Sequence, residues 1–250
     1  MENRLVFSMV IVIFLYYSMF GNDLVNLPLT RRKADPQIWM SMSVCYGENA
    51  QIHGKGKYPY TYAATLSTRL WRKVTDGEVN VLLTIVYNED TNMDALEKYV
   101  ESFDDVEGVV IKSEEATSLG CVLQSQLSRI FGWQHNFMND EDIILTIDVD
   151  MFVMDKRIME PLRQPFLSWI YEYEHTVNTG ETFNMNLIGM RAKDWRAMFD
   201  NINVGMGKYD IIQNFNDSFH MNLNNAEFNW GIDQVLFLFK AIAFFFFFCI

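Results

Sequence analysis

Two carboxylates stand at i and i+2 in the segment ILTIDVDMFV, residues 144 to 153: Asp148 and Asp150. The apolar run before them reads as a buried strand. Acidic side chains at the end of such a strand repel each other and resist burial unless positive charge sits between them. A divalent cation meets that need, and hard carboxylate oxygens suit Mn2+ or Mg2+. Aspartates also serve the turns that follow strands, so a bare pair is a weak signal. Placed directly after Ile143 to Ile147 and before Met-Phe-Val, the pair becomes the leading candidate for a metal centre.

Other side chains bear on the same chemistry. Arg129 lies one helix before that strand. Its planar fork suits phosphate oxygens, although a solvated helix position is the plainer expectation. Tyr46, just past the first strand, suits stacking on a nucleobase, although packing is the plainer expectation for a loop tyrosine. His53 and His135 are not placed to act as ligands. The three cysteines, Cys45, Cys121 and Cys249, show no CxxC or Cys/His spacing, so a structural zinc site has no support. One disulfide would leave one thiol free, and the spacing does not choose the pair. Buried apolar cysteines are the simpler expectation.

The elements that must position these residues alternate strand and helix. Ile38 to Cys45 reads as a first strand. Ala63, Leu66, Leu70 and Val74 recur at helical spacing after Tyr58-Pro59-Tyr60. VNVLLTIVY, residues 79 to 87, is almost continuously apolar, as strands covered on both faces of a parallel sheet are. Met93 to Phe103 reads as a helix and Gly108 to Lys112 as a strand. Leu119, Leu123, Leu127 and Ile130 mark another helix, with Thr117 and Ser118 as capping candidates. Phe166 to Tyr173 and Phe183 to Met190 are further strand candidates. Trp195, Met198, Phe199 and Ile202 mark an amphipathic helix, and residues 203 to 228 read as a loop. The order predicts an α/β fold with a mainly parallel central sheet and flanking helices. Ligands of such sheets bind beyond the carboxyl ends of the strands, where the aspartates fall.

Composition narrows the partners. Half of the 250 residues are hydrophobic, which suffices for a sizeable core. The net charge of -12, from 32 acidic and 20 basic side chains without a basic stripe, excludes nucleic acid as the expected partner. A phosphorylated substrate stays open, because a metal or a local cation inverts the field inside one pocket.

Leu5 to Phe20 is sixteen residues without a charge. No small-x-small cleavage site follows, so residues 1–21 are expected to be an uncleaved signal anchor, and residues 22–37 a stem. Arg31, Arg32 and Lys33 beyond the run argue against the usual orientation. The balance favours a single-pass type II protein of the Golgi or endoplasmic reticulum membrane with a lumenal domain. The sequon Asn216-Asp217-Ser218 agrees. The domain is expected over 38–243. Residues 244–250 form an anomalous phenylalanine-rich tail, expected to be an artificial or truncated terminus.

Three motifs resemble the glycogenin-like, retaining GT-A glycosyltransferases over roughly residues 38 to 240. They are Asp148-Val149-Asp150, then Phe183-Asn184 leading MNLIGM, then Trp230-Gly231-Ile232-Asp233-Gln234. The middle motif matches in part, with Asn184-Met185-Asn186 where the family has Asn-x-Gly. The resemblance implies a transferase that moves a sugar from a nucleotide-diphosphate donor, a UDP-sugar above all, to a glycan or protein acceptor it does not identify. Asp148 would contact the sugar-ribose region of the donor and Asp150 the metal. Asn184 would face the donor sugar or acceptor, and Asp233 and Gln234 the reacting anomeric carbon. Asp233 also suits a helix N-terminus for its charge alone. The family's third metal ligand is a histidine after the Asp-Gln helix. No histidine follows His220, so weak donor binding by these 250 residues is expected.

Two other readings compete. Haloacid-dehalogenase phosphatases resemble the segment through DxDx[T/V], but near the start of their domain, and Phe152 stands at the Thr/Val position here. A non-catalytic lumenal protein of the same GT-A fold is the second.

Overall fold

The computed structural model describes residues 36–47, 60–117, 120–160, 168–170, 173–176, 180–183 and 188–200. All of them belong to the compact unit Pro36–Ile242. The apolar run Leu5 to Phe20, the sequon at Asn216 and the phenylalanine-rich tail lie outside the described residues. Among the described residues no helix is long and apolar enough to cross a membrane.

The described elements run β1 (Ile38–Tyr46), α1 (Tyr60–Val74), β2 (Val79–Tyr87), α2 (Met93–Glu101), β3 (Val109–Glu115) and α3 (Cys121–Ser128). A 3-10 turn, Arg129–Gln134, continues α3. Then come β4 (Ile143–Thr146), a 3-10 turn (Lys156–Met159), β5 (Ser168–Ile170), β6 (Tyr173–Thr176), β7 (Gly180–Phe183), β8 (Ile188–Arg191) and α4 (Ala192–Asp200). The main sheet has the order β3-β2-β1-β4-β8-β5, and β6 pairs with β7 in a separate two-stranded sheet. β1 is parallel to both β2 and β4, and β2 is parallel to β3. β8 is antiparallel to β4 and to β5. The fold is thus mixed α/β around a mostly parallel sheet.

The chain steps outward from β1 to β2 and β3, then returns to the other side of β1 for β4. Ile38 lies opposite both Val79 and Ile143. This reversal is the topological switch at which open sheets leave a crevice.

The strands show why they sit centrally. In β2 every residue is buried except Asn80 and Tyr87, as a strand covered on both faces requires. In β1 Met40, Met42 and Val44 share one core with Ala64 and Trp71 of α1 and with Leu83 and Ile85 of β2. The alternate residues Ser43 and Cys45 engage α3, and Ser41 engages Arg129 at the start of the 3-10 turn that follows it.

Several expectations shift. The buried face of α1 is Ala63, Ala64, Ser67, Thr68 and Trp71, whereas Leu66 is exposed. Small side chains bring the helix close to the sheet, and one Trp supplies the bulk. α3 starts after Gly120, whose φ of 78° suits glycine, with no side-chain cap. Thr117 donates its backbone N–H to Gln124 Oε1 (2.7 Å) instead of capping the helix, and Ser118 lies outside the described residues. The expected strand from Phe183 to Met190 is divided: Phe183 closes β7, and β8 begins at Ile188. The plainer expectation for the cysteines fails, because Cys45 and Cys121 are joined as a disulfide.

Aromatic packing secures β4. Trp195 of α4 donates its indole N–H to Ile144 O (3.1 Å). Phe199 stacks on Trp133 and packs against Phe131 of the 3-10 turn.

Candidate active site

The aspartates follow β4 at the switch. Ile147 N donates to Ser41 O (3.2 Å), which carries the β1 pairing one residue past β4. A turn then closes with Met151 N donating to Asp148 O (3.1 Å). Ser67 of α1 donates its hydroxyl to Met151 O (2.9 Å) and pins the far side of that turn. Val149 and Val153 are buried in the core shared by β1 and β2. With Val149 anchored inward, Asp148 is left half-buried and Asp150 exposed.

Arg129 is the residue that the structure adds to this pair most clearly. Its side chain is buried, and Nη1 forms an ion pair with Asp148 Oδ1. The solvated position expected for Arg129 is therefore corrected: the guanidinium is turned inward against an acid. A buried cation beside the pair offsets the repulsion that two neighbouring carboxylates would otherwise feel.

Tyr60, the first residue of α1, belongs here too. Partial burial raises its phenol above the usual range, and the negative charge of Asp150 pushes it the same way, opposed by Arg129. The phenol thus stands within electrostatic reach of both groups. In the sequence it reads as a helix entry, and nothing local marks it further.

Tyr46 is the last residue of β1, opposite Tyr87. Its ring packs on Tyr99 (centroids 5.3 Å apart), which in turn meets Phe103 edge-on. Tyr46 also helps line a cavity of about 660 Å³ with Gly47, Thr61, Asn88, Asp90 and Asn92. The cavity lies beyond the carboxyl ends of β1 and β2, and its lining does not include Asp148 or Asp150. Packing and cavity lining are therefore both true of Tyr46. Its neighbours Asn88, Asp90 and Asn92 follow β2 in a segment that sequence reasoning passed over.

Two carboxylates supply hard oxygens that fit Mn2+ or Mg2+. Among the described residues, no group of three or more His, Cys, Asp and Glu could hold a metal ion. Asn184, Asp233 and Gln234 lie outside the described residues.

No protein-family model matches the chain, and no curated protein matches it. Among solved structures it is similar to the galactosyltransferase LgtC in complex with donor and acceptor sugar analogs. That match has 10% identity and a TM-score of 0.42, and covers 74% of this chain and 65% of LgtC. It is similar to the apo form of the glycosyltransferase GlyE of Streptococcus pneumoniae, at 13% identity and TM-score 0.35, over 73% of this chain and 43% of GlyE. It is also similar to a nucleoside-diphosphate-sugar pyrophosphorylase of Vibrio cholerae, at 8% identity and TM-score 0.35, over 70% of this chain and 81% of that one. The chain spans less than two thirds of the length of LgtC and under half that of GlyE. Every TM-score is below 0.5, so the fold and the site stand on the topology and side chains described above.

Proposed function

We propose that the chain is a GT-A-type glycosyltransferase that takes a nucleotide-diphosphate sugar, a UDP-sugar first, and works with Mn2+ or Mg2+. The observation that carries this reading is the placement of Asp148 and Asp150 after β4, at the β1/β4 switch, with buried Arg129 on Asp148. The closer likeness to glycogenin rests on the sequence motifs alone.

In this reading Asp150, exposed at the rim, and Asp148 hold the cation. When bound, it neutralises the diphosphate leaving group as the glycosidic bond breaks. The Arg129 guanidinium stands beside the same place, with a fork that suits phosphate oxygens. Tyr46 and the cavity beyond β1 and β2 suit the nucleoside. Asn184, Asp233 and Gln234 keep the sugar-facing roles that the resemblance implies. The acceptor is a glycan or a protein.

The Cys45–Cys121 disulfide supports an oxidising compartment. A lumenal domain behind the anchor at residues 1–21, in the Golgi or endoplasmic reticulum, fits it. Loss of a glycosidase-sensitive mass shift in Asn216→Gln tests that topology.

A second reading, a non-catalytic binding protein of the same fold, draws on the partial match of the middle motif, Asn184-Met185-Asn186. The phosphatase reading loses ground, since the aspartates follow the fourth strand rather than opening the domain. A panel of nucleotide sugars, each with and without Mn2+, separates the first two. Metal-dependent donor hydrolysis or transfer supports the enzyme. Donor binding without turnover supports the binding protein, and no binding by any donor ends both.

A further inference from the structure

Three residues on one face of β1 hold three successive turns of the segment that ends in Arg129. The Ser41 hydroxyl donates to Arg129 O (2.6 Å). The Ser43 hydroxyl donates to Ser125 O. Cys45 is joined to Cys121 as a disulfide. The strand positions step by two and the helix positions by four, in opposite directions. Two strand residues rise about 6.6 Å and four helical residues about 6 Å, so the two repeats stay in step over three contacts.

The chemistry of each contact is specific. The last carbonyls of a helix have no partner within it. α3 ends at Ser128, so Ser125 O falls where such a carbonyl is left over and Ser43 satisfies it, while Ser41 reaches Arg129 O at the start of the 3-10 turn. Close approach is needed as well. A Cβ added at Gly132 would lie 2.8 Å from Ser41 Oγ and 3.4 Å from Ile144 Cγ2. The 3-10 turn therefore lies directly on β1 and β4, and Arg129 leaves it toward Asp148.

We propose that Ser41, Ser43 and the Cys45–Cys121 disulfide are positioning residues of the donor site, fixing the register of α3 on β1 so that Arg129 meets Asp148. The proposal rests on the donor-site reading above and names how that site is held in place. A slip of α3 by one residue would rotate Arg129 by about 100° around the helix, away from the acid.

The test is a double-mutant cycle on the full chain, read by calorimetric titration of UDP in the presence of Mn2+. Ser41→Ala is expected to weaken UDP binding about tenfold, the lower end of what lost support for a ligand produces. In an Arg129→Ala background the same change is expected to weaken it no further, because Ser41 acts through Arg129. Thr75→Val removes another buried hydroxyl-to-carbonyl bond, Thr75 Oγ1 to Trp71 O. It is expected to lower the melting temperature and leave UDP affinity unchanged. Wild type held in reductant without denaturant until its mass shows the disulfide open, a second route should Ser41→Ala fail to fold, is expected to bind UDP more weakly than the oxidised form. Equal effects of Ser41→Ala with and without Arg129 overturn the proposal. So does an affinity that follows stability in Thr75→Val, or a reduced protein that binds as tightly as the oxidised one. Those failures leave the donor site standing. A wild type that binds no nucleoside diphosphate overturns the donor-site reading and this inference together.

Discussion

Arg129 and Asp148 form an ion pair in which the guanidinium side chain is 8% exposed and the carboxylate 40% exposed. The cation is the buried partner and the acid the more exposed one. Removing Arg129 therefore takes the charge that balances a half-buried acid, while water can still reach that acid.

Arg129→Met tests the pair through stability. Breaking a fully buried pair costs about 3–5 kcal/mol. Asp148 keeps part of its hydration, so the expected loss is about 2 kcal/mol, between the buried and surface cases. Urea unfolding reads it as a lower midpoint with unchanged slope. A midpoint equal to wild type would show that the contact is an ordinary surface pair. Arg129→Lys is expected to restore little, since a compact ammonium on a flexible stem cannot reproduce the planar fork.

Asp150→Asn separates the metal from the fold. Asp150 is exposed, and its neighbours Val149 and Val153 carry the anchoring. Stability is expected to change by no more than about 0.5 kcal/mol, as for surface substitutions. Mn2+-dependent UDP binding is expected to disappear in calorimetric titration. Unchanged affinity in a folded mutant ends the metal assignment.

Much of the frame was legible in the sequence because it is local and periodic. VNVLLTIVY declares a strand covered on both faces, and ILTIDVD places two acids at a strand end. The contacts around the acids were not legible, for reasons of chemistry and distance. A serine at alternate strand positions reads as facing water, yet Ser41 and Ser43 face helix carbonyls. The Cys45–Cys121 pairing spans 76 residues, and no local spacing signals it. Arg129 is inside because its partner lies 19 residues ahead, on another element. In α1 the apolar stripe through Leu66 misled, because alanine, serine and threonine can lie closer to a sheet than leucine can.

Gly132→Ala should run against the usual trend. Alanine in place of glycine within a helix ordinarily stabilises by about 0.5–1 kcal/mol. Here the new Cβ would meet Ser41 Oγ at 2.8 Å and Ser41 Cβ at 3.1 Å. Ser41 is fully buried and bonded to Arg129 O, so it has little room to yield. The expected change is a loss of about 1–3 kcal/mol, typical of overpacking. A stabilised Gly132→Ala, by thermal melting, would show that the turn can lift off β1.

Alkaline pH should weaken the fold through Tyr99. Burial holds its phenol well above the usual range, opposed in part by a hydrogen bond with Thr65 and aided by Tyr46. The folded state thus keeps the proton more tightly than the unfolded chain does. That contribution is fully present below the ordinary phenol range near 10, and is lost as pH rises through the higher folded value. Tyr99→Phe removes this source of pH dependence, along with the bond from Tyr99 to Thr61 O (2.8 Å). The mutant is expected to be less stable at neutral pH and to lose less between pH about 9 and 11. Parallel slopes for the two proteins over that range would exclude Tyr99 as the source.

The Cys45–Cys121 disulfide should be the largest single contributor to stability that can be switched without a mutation. It closes a loop across 76 residues of sequence. In the chain-entropy description, a loop of that length restricts the unfolded ensemble by about 4.5 kcal/mol. Both cysteines are buried, so reductant alone should act slowly on the native protein. Three measurements follow in order. Thiol labelling of the chain unfolded without reductant, mapped by peptide, should miss both residues. Labelling after unfolding with reductant should find both. Guanidinium unfolding of Cys45→Ser/Cys121→Ser should then show a loss approaching that figure. If either cysteine labels as a free thiol after unfolding without reductant, the link is absent. The placement of Arg129 would then rest on the two serine contacts alone.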